Sequence, residues 1–119
     1  MKGPKGKRII GFSFAWNGLI EAFKRERNFR IHLVVAVIVI LISFYIQLTR
    51  IEWIFILFAI FIVLIAELIN SLFERVIDYL NPAYHPHAKI IKDMAAGVVL
   101  LTACLSIIIG LLIFIPKIL

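Results

Sequence analysis

The chain has 119 residues, of which 63% are hydrophobic, and 13 basic against 7 acidic residues give it a formal net charge of +6. Soluble domains are closer to half apolar, and a chain this short cannot hide so much apolar surface in a core of its own. The composition therefore excludes an ordinary soluble enzyme and favours a small membrane protein. A single cysteine, Cys104, excludes a disulfide framework and a cysteine-based metal centre.

The first 30 residues carry most of the positive charge but no apolar stretch of the signal-peptide type. Between Phe12 and Phe23, aromatic and aliphatic residues are interleaved with small and polar ones. That pattern is typical of an amphipathic helix at a membrane surface, with Trp16 at the level of the lipid headgroups. We expect a surface helix over residues 1–30, which either contributes to a site or serves only as an anchor.

Three apolar runs follow, at about 31–48, 53–69 and 94–115. Each is near the ~20 residues that a helix needs to cross a bilayer. The sequence thus predicts an all-α membrane protein of one domain, 1–119, with a surface helix and three transmembrane helices. Basic residues are concentrated before the first run and between the second and third. The N-terminus and the 75–93 segment are therefore expected in the cytoplasm, and the turn at 49–52 and the C-terminus outside.

The second run ends in a row of acceptor side chains. Glu67, Asn70, Glu74 and Asp78 follow one another at steps of three, four and four, which places them on one stripe of a helix. An acid at membrane depth is energetically expensive and usually functional. Glu67 is the deepest of the acids and suits a general base for a hydroxyl that arrives from the lipid. The alternative is a structural hydrogen bond to a neighbouring helix.

Two carboxylates at the predicted membrane edge could bind a cation. Mg²⁺ typically takes one or two carboxylates together with substrate phosphates, so Glu26 and Glu74 could hold Mg²⁺ and the phosphates of a nucleotide. The alternative is that each carboxylate pairs with a nearby basic side chain: Arg27 or Arg30 for the first, and Arg75 or Lys92 for the second.

Other polar residues give weaker signals. Pro82 and Pro86 predict a break between helices, His85 and His87 are interpreted as solvated loop residues, and Glu52 as a solvated loop charge. A stripe of small residues in the third span predicts close helix packing, and hence an oligomer; it comprises Thr102, Ser106 and Gly110. No P-loop or glycine-rich nucleotide motif is present.

The motif Glu67-Leu-Ile-Asn-Ser-Leu-Phe-Glu74, then Asp78, then 87–97, resembles the prokaryotic diacylglycerol kinase family, which includes undecaprenol kinases. The resemblance implies a homotrimeric membrane kinase with its active sites between subunits. Glu67 would be the catalytic base, and Glu26 and Glu74 the metal ligands. The resemblance also implies roles for two further groups of residues. The nucleotide would be contacted by Arg8, Asp78, His87, Lys92 and Asp93. The site would be lined by Trp16, Asn17, Arg30, Asn70 and Ser71.

The function expected from the resemblance is the Mg²⁺- and ATP-dependent phosphorylation of a lipid alcohol in the bacterial cytoplasmic membrane. Undecaprenol is the favoured acceptor, because Asn17 follows Trp16 where the better-known diacylglycerol kinases tend to have a basic residue. Diacylglycerol is the alternative acceptor. Two non-kinase hypotheses stay open at this point: a transporter in which Glu67 relays protons, and a non-catalytic assembly subunit.

Overall fold

The computed structural model describes residues 7–80, 83 and 85–119, with side chains from residue 11 onward. They form four helices: α1 (Lys7–Arg25), α2 (Arg27–Ile46), α3 (Arg50–Leu80) and α4 (Pro86–Ile118). The last three are each long and apolar enough to cross a membrane. The predicted all-α architecture with a leading helix and three spans is confirmed.

The helices extend further than hydropathy alone indicates. α3 has 31 residues, which is about 46 Å of helix, whereas the hydrocarbon core of a bilayer is about 30 Å thick. One end of α3 therefore projects beyond the apolar layer, and that end carries Glu74 and Asp78. α2, by contrast, ends at Ile46 rather than at residue 48.

A sharp corner joins α1 to α2. Glu26 alone separates the two helices and is extended, with φ −108° and ψ 106°. The Arg30 guanidinium donates hydrogen bonds to the backbone oxygens of Phe23 (2.8 Å) and Lys24 (3.0 Å). These carbonyls lie in the last turn of α1, where a helix leaves its acceptors unpaired. The surface helix consequently ends at Arg25, earlier than residue 30, and Arg30 fastens the corner.

A reciprocal capping box begins α3. The backbone N–H of Thr49 donates to Glu52 Oε1 (2.9 Å), and the N–H of Glu52 donates to Thr49 Oγ1 (3.3 Å). Glu52 also pairs with Lys117 Nζ at 3.0 Å. The interpretation of Glu52 as a solvated loop charge is wrong, because the spacing Thr-x-x-Glu makes it part of the helix start. The turn lies at residues 47–49, where Gln47 closes α2 with φ 64°.

α4 begins at a proline. His85 is the N-cap, its Nδ1 accepting a hydrogen bond from the N–H of His87 (3.1 Å), and Pro86 occupies the first turn. Pro86 therefore starts a helix rather than breaking one. Pro82, the other predicted break, lies outside the described residues.

α3 is the central helix of the chain. Its buried face comprises Ile56, Ala59, Val63, Ala66, Glu67, Asn70 and Ser71, while no residue of α4 is buried. Ser106 of α4 donates a hydrogen bond to the Ala59 carbonyl (3.0 Å). One member of the small-residue stripe thus brings α3 and α4 together within the chain, so the stripe does not by itself indicate an oligomer.

Replacing Thr49 with alanine should lower the midpoint of thermal unfolding in detergent. Loss of an N-cap acceptor typically costs about 1 kcal/mol of stability, and here it also removes the partner of the Glu52 N–H. Arg50→Ala is the matched control, since Arg50 is exposed in the same turn. Equal midpoints for Thr49→Ala and Arg50→Ala would contradict the capping role.

Candidate active site

A polar stripe on α3 runs from the interior of the bundle to the projecting end of the helix. Glu67 and Asn70 are 3% and 7% exposed, whereas Glu74 and Asp78 are exposed. All four lie on one uninterrupted helix, so their spacing does place them on one face. Buried polar groups thus connect directly to charged groups at the membrane edge.

Glu67 has one basic neighbour. His32 Nε2 of α2 lies 3.5 Å from Glu67 Oε1, and the two side chains are 29% and 4% exposed respectively. His32 was absent from the residues expected at the site. The sequence could have identified His32, because it is an ionisable residue only one turn inside an otherwise apolar run. Ionisable residues in such positions are usually functional.

Asn70 contributes an unused acceptor. Its Oδ1 is buried and has no hydrogen-bond donor among the residues that the structure describes. A buried acceptor without a donor is destabilising, and natural proteins seldom leave one without a reason. A donor supplied by a ligand would satisfy it, which makes the turn of α3 between Glu67 and Asn70 a candidate place for a substrate hydroxyl.

Glu26 is held by a residue of another helix. Arg75 Nε and Nη2 lie 2.7 Å and 2.6 Å from Glu26 Oε2. The ion pair fixes the α1–α2 corner to α3 at the turn that carries Glu74. The expected alternative partners of Glu26, Arg27 and Arg30, are therefore wrong. Arg75 is a second site residue that the sequence reasoning missed, having been considered only as a partner of Glu74.

These two carboxylates retain oxygen atoms for a cation. Arg75 uses only Oε2 of Glu26, and neither Glu26 Oε1 nor the Glu74 carboxylate has a partner in the part of the chain that is described. No group of three or more ligating side chains occurs there. A pair of carboxylates suits Mg²⁺, which usually takes one or two of them and completes its shell with phosphate and water oxygens.

A second ion pair joins the end of α3 to the start of α4. Lys92 Nζ donates to Asp78 Oδ1 (2.6 Å), and Lys89 Nζ donates to Asp93 Oδ2 (2.6 Å). The expected alternative of Lys92 pairing with Glu74 is thus wrong. The two pairs bring four of the charges in this region to one end of the spans.

The surface helix covers the same end. A cavity of about 280 Å³ lies between α1 and α3, and its wall includes Glu26, Ser71 and Arg75. Glu21 and Arg25, also at this wall, form an exposed pair at 2.6 Å. The hydrogen bond and positive charge of Arg25 lower the pKa of the Glu21 carboxyl.

The remaining expected site residues are peripheral in this chain. Trp16 and Asn17 are exposed on α1, and His87 is exposed and stacks on His85 with ring centroids 5.4 Å apart. The side chain of Arg8 lies outside the described residues, although its backbone belongs to α1. The structure thus gathers the acids and Lys92, and among the described side chains no hydrogen bond or ion pair joins Trp16, Asn17 or His87 to them.

An apolar groove of about 500 Å³ runs between the three spans. Residues of α2, α3 and α4 line it, from Val39 and Ile56 in the middle of the bundle to Ile31 near the membrane edge. His32 is its only ionisable lining residue. The groove therefore leads from the apolar layer to the side chain that contacts Glu67, an arrangement that suits one apolar chain with a polar end.

Comparison with known proteins identifies relatives along most of the chain. The sequence profile of the prokaryotic diacylglycerol kinases matches residues 13–114. An undecaprenol kinase of Bacillus subtilis is 42% identical over 106 residues, which cover 89% of this chain and 86% of that protein. A diacylglycerol kinase of Synechocystis is 38% identical over 93% of this chain and 64% of its own length. The diacylglycerol kinase of Escherichia coli K12 is 28% identical over 85% of this chain and 84% of its own.

The ion pair between Glu26 and Arg75 can be tested by a double-mutant cycle of thermal stability. Glu26→Gln and Arg75→Gln should each lower the unfolding midpoint slightly, and the double variant should lose no more than either, because both remove one contact. The coupling should be small, at most about 1 kcal/mol, since Arg75 is half exposed. Fully additive losses would contradict the pairing; Glu21 and Arg25 provide the control cycle within α1.

Proposed function

This chain belongs to the prokaryotic diacylglycerol kinase family and is a lipid kinase that uses ATP, and on that premise we propose that it phosphorylates undecaprenol, with Glu67 as the general base. The observation that carries the proposal is a buried carboxylate at the end of an apolar groove, beside a cluster of charged groups. Family membership favours this function over the transporter and assembly hypotheses.

The groove supports a lipid acceptor. Its walls are apolar along the spans, and a volume of about 500 Å³ accommodates part of a long chain rather than a whole polyprenol. We propose that the chain of the acceptor lies there, with its remainder in the bilayer. The hydroxyl then reaches the turn of α3 that carries Glu67 and the unpaired acceptor of Asn70.

The two ends of the polar stripe on α3 have different chemical roles. Glu67 takes the proton of the lipid hydroxyl, the oxygen attacks the γ-phosphorus of ATP, and ADP leaves in line. Glu26 and Glu74 would hold the magnesium ion, which neutralises negative charge on the transferring group when it is bound. Burial of Glu67 keeps water away from the reacting hydroxyl.

The nucleotide belongs at the charged end. We propose that Lys92 and Arg75 turn from Asp78 and Glu26 towards the phosphates, with Asp78, Asp93 and the more distant Arg8 and His87 around the nucleotide. The concentration of lysines and arginines at this end supports a cytoplasmic position, where ATP is found, with the C-terminus outside.

The proposed assembly is a homotrimer. The charged end is exposed, so that Glu74 and Asp78 are accessible to another chain. A surface helix of a neighbouring protomer would cover it, bringing Trp16, Asn17 and Arg30 of that protomer towards the nucleotide, as the family resemblance implies.

The choice of acceptor favours undecaprenol. The relative named undecaprenol kinase is 42% identical and aligned over most of both chains, and the diacylglycerol kinases compared with it are 38% and 28% identical. The narrow apolar lining of the groove also suits one long chain. Diacylglycerol remains the second candidate, because three of the relatives bearing its name cover much of this chain.

The proposal predicts a preference that can be measured directly. In matched detergent micelles containing magnesium and labelled ATP, the protein should transfer label to undecaprenol at least tenfold more efficiently, as kcat/KM, than to diacylglycerol. The reverse preference would keep the kinase but overturn the acceptor. Glu67→Gln serves as the blank. Glu52→Gln is the control for loss of an acid at the opposite end of α3, where glutamine retains an acceptor for the Thr49 N–H.

Occupation of the groove is tested in the same assay. Gly110 lines the groove, and a Cβ atom built there meets no atom within 4 Å. Gly110→Leu should therefore raise the KM for the lipid severalfold and leave the KM for ATP unchanged. An unchanged lipid KM with a changed oligomeric state would instead indicate that a neighbouring helix fills the groove.

A further inference from the structure

We propose that His32 is a positioning residue for Glu67 and receives the proton that Glu67 takes from the lipid hydroxyl. The inference deepens the proposed function and rests on its assignment of Glu67 as the base. It starts from a contact between α2 and α3 that the catalytic scheme leaves unused: His32 Nε2 lies 3.5 Å from Glu67 Oε1.

The contact joins a buried group to a partly exposed one. The Glu67 side chain is 4% exposed and the His32 side chain 29%. A carboxyl group away from water requires a polar partner. At 3.5 Å the pair is slightly longer than a hydrogen bond, and a small rotation of either side chain brings the atoms to hydrogen-bonding distance. His32 can therefore orient the carboxylate towards the end of the groove.

Among the described residues, no other group near Glu67 can take its proton as readily. The charges that act on it besides His32 are the carboxylates of Glu74 on α3 and Glu26 at the corner. Arg75 is bound to Glu26, and Arg30 to backbone carbonyls. α1 contributes the exposed pair of Glu21 and Arg25, and α4 carries no charged residue between Asp93 and Lys117.

Histidine suits a group that must accept and release a proton in every turnover. Its charge changes near neutral pH, unlike that of the arginines around it. In the proposed sequence the hydroxyl O–H bond breaks as the O–P bond forms, and the proton passes to a Glu67 oxygen. It then moves to the unprotonated Nε2 of a neutral His32, and the imidazolium returns this proton from Nε2 to water once the phosphorylated lipid has left the groove that His32 lines. Glu67 is thereby ionised again for the next acceptor.

His32→Gln tests the inference, because an amide can hydrogen-bond to Glu67 but cannot carry a proton. We expect kcat to fall about tenfold to hundredfold, the range for misplacing or slowing a catalytic group, while the KM for ATP changes less than about twofold. His85→Asn is the matched control. It removes an exposed imidazole from the chain, retains an N-cap acceptor for α4, and should leave kcat unchanged.

Two further readouts separate a proton acceptor from a structural side chain. The dependence of kcat on pH should contain an ionisation in the wild type that is absent from His32→Gln. Added imidazole should restore part of the activity of His32→Ala, because the groove is open where the ring is removed. A ring that only fills space would give neither result.

The possible outcomes separate the role of His32 from the proposed function on which it rests. A wild-type kcat and pH profile for His32→Gln, with Glu67→Gln inactive, would overturn the role of His32 alone. Full activity of Glu67→Gln would overturn the base itself. Should His32→Gln unfold in detergent, the imidazole series on His32→Ala decides, and failure of imidazole to restore activity would overturn the inference.

Discussion

The constraint on which this structure depends is the burial of one carboxylate within an apolar helix. Glu67 lies on the most buried face of α3, and a charge at that depth is expensive. The surrounding helices lower the energetic cost of burying Glu67 in two ways. α2 brings His32 to Glu67, and α3 continues beyond the apolar layer, so that its polar residues begin one turn after Glu67. Binding energy from a lipid chain can then be used to bring a hydroxyl to an acid that water does not reach.

The charged end of the bundle is assembled by pairs of opposite charge from different helices. Glu26 with Arg75 ties the corner to α3, and Asp78 with Lys92 ties α3 to α4. All four side chains are at least partly exposed, so these pairs contribute little stability individually. They fix the relative positions of the helices, and in the proposed function phosphates and a cation would exchange with them without leaving a buried charge unpaired.

The sequence specified the architecture better than it specified the contacts. Apolar runs of bilayer length predicted three spans, and a row at helical spacing placed Glu67 and Asn70 on one face of α3. The partner of Glu26 could not be found in this way, because Arg75 is 49 residues away and becomes a neighbour only when α3 returns past the corner. His32 was missed although its position inside an apolar run was visible in the sequence; only its contact with Glu67 required the fold. The role of Glu52 was readable from its spacing to Thr49, and was missed because Glu52 was interpreted as a solvated charge of the turn.

In the proposed mechanism the two ends of the polar stripe have different roles: Glu67 acts on the lipid and Glu74 on the nucleotide. Thermal unfolding in detergent, with and without magnesium and ATP, tests it most directly, since saturating ligand at about a hundred times its dissociation constant stabilises by about 2.7 kcal/mol. Glu67→Gln should lose turnover but keep the full stabilisation by ligand, whereas Glu74→Ala should lose most of that stabilisation. A Glu74→Ala variant stabilised as strongly as the wild type, or a Glu67→Gln variant not stabilised at all, would contradict the division.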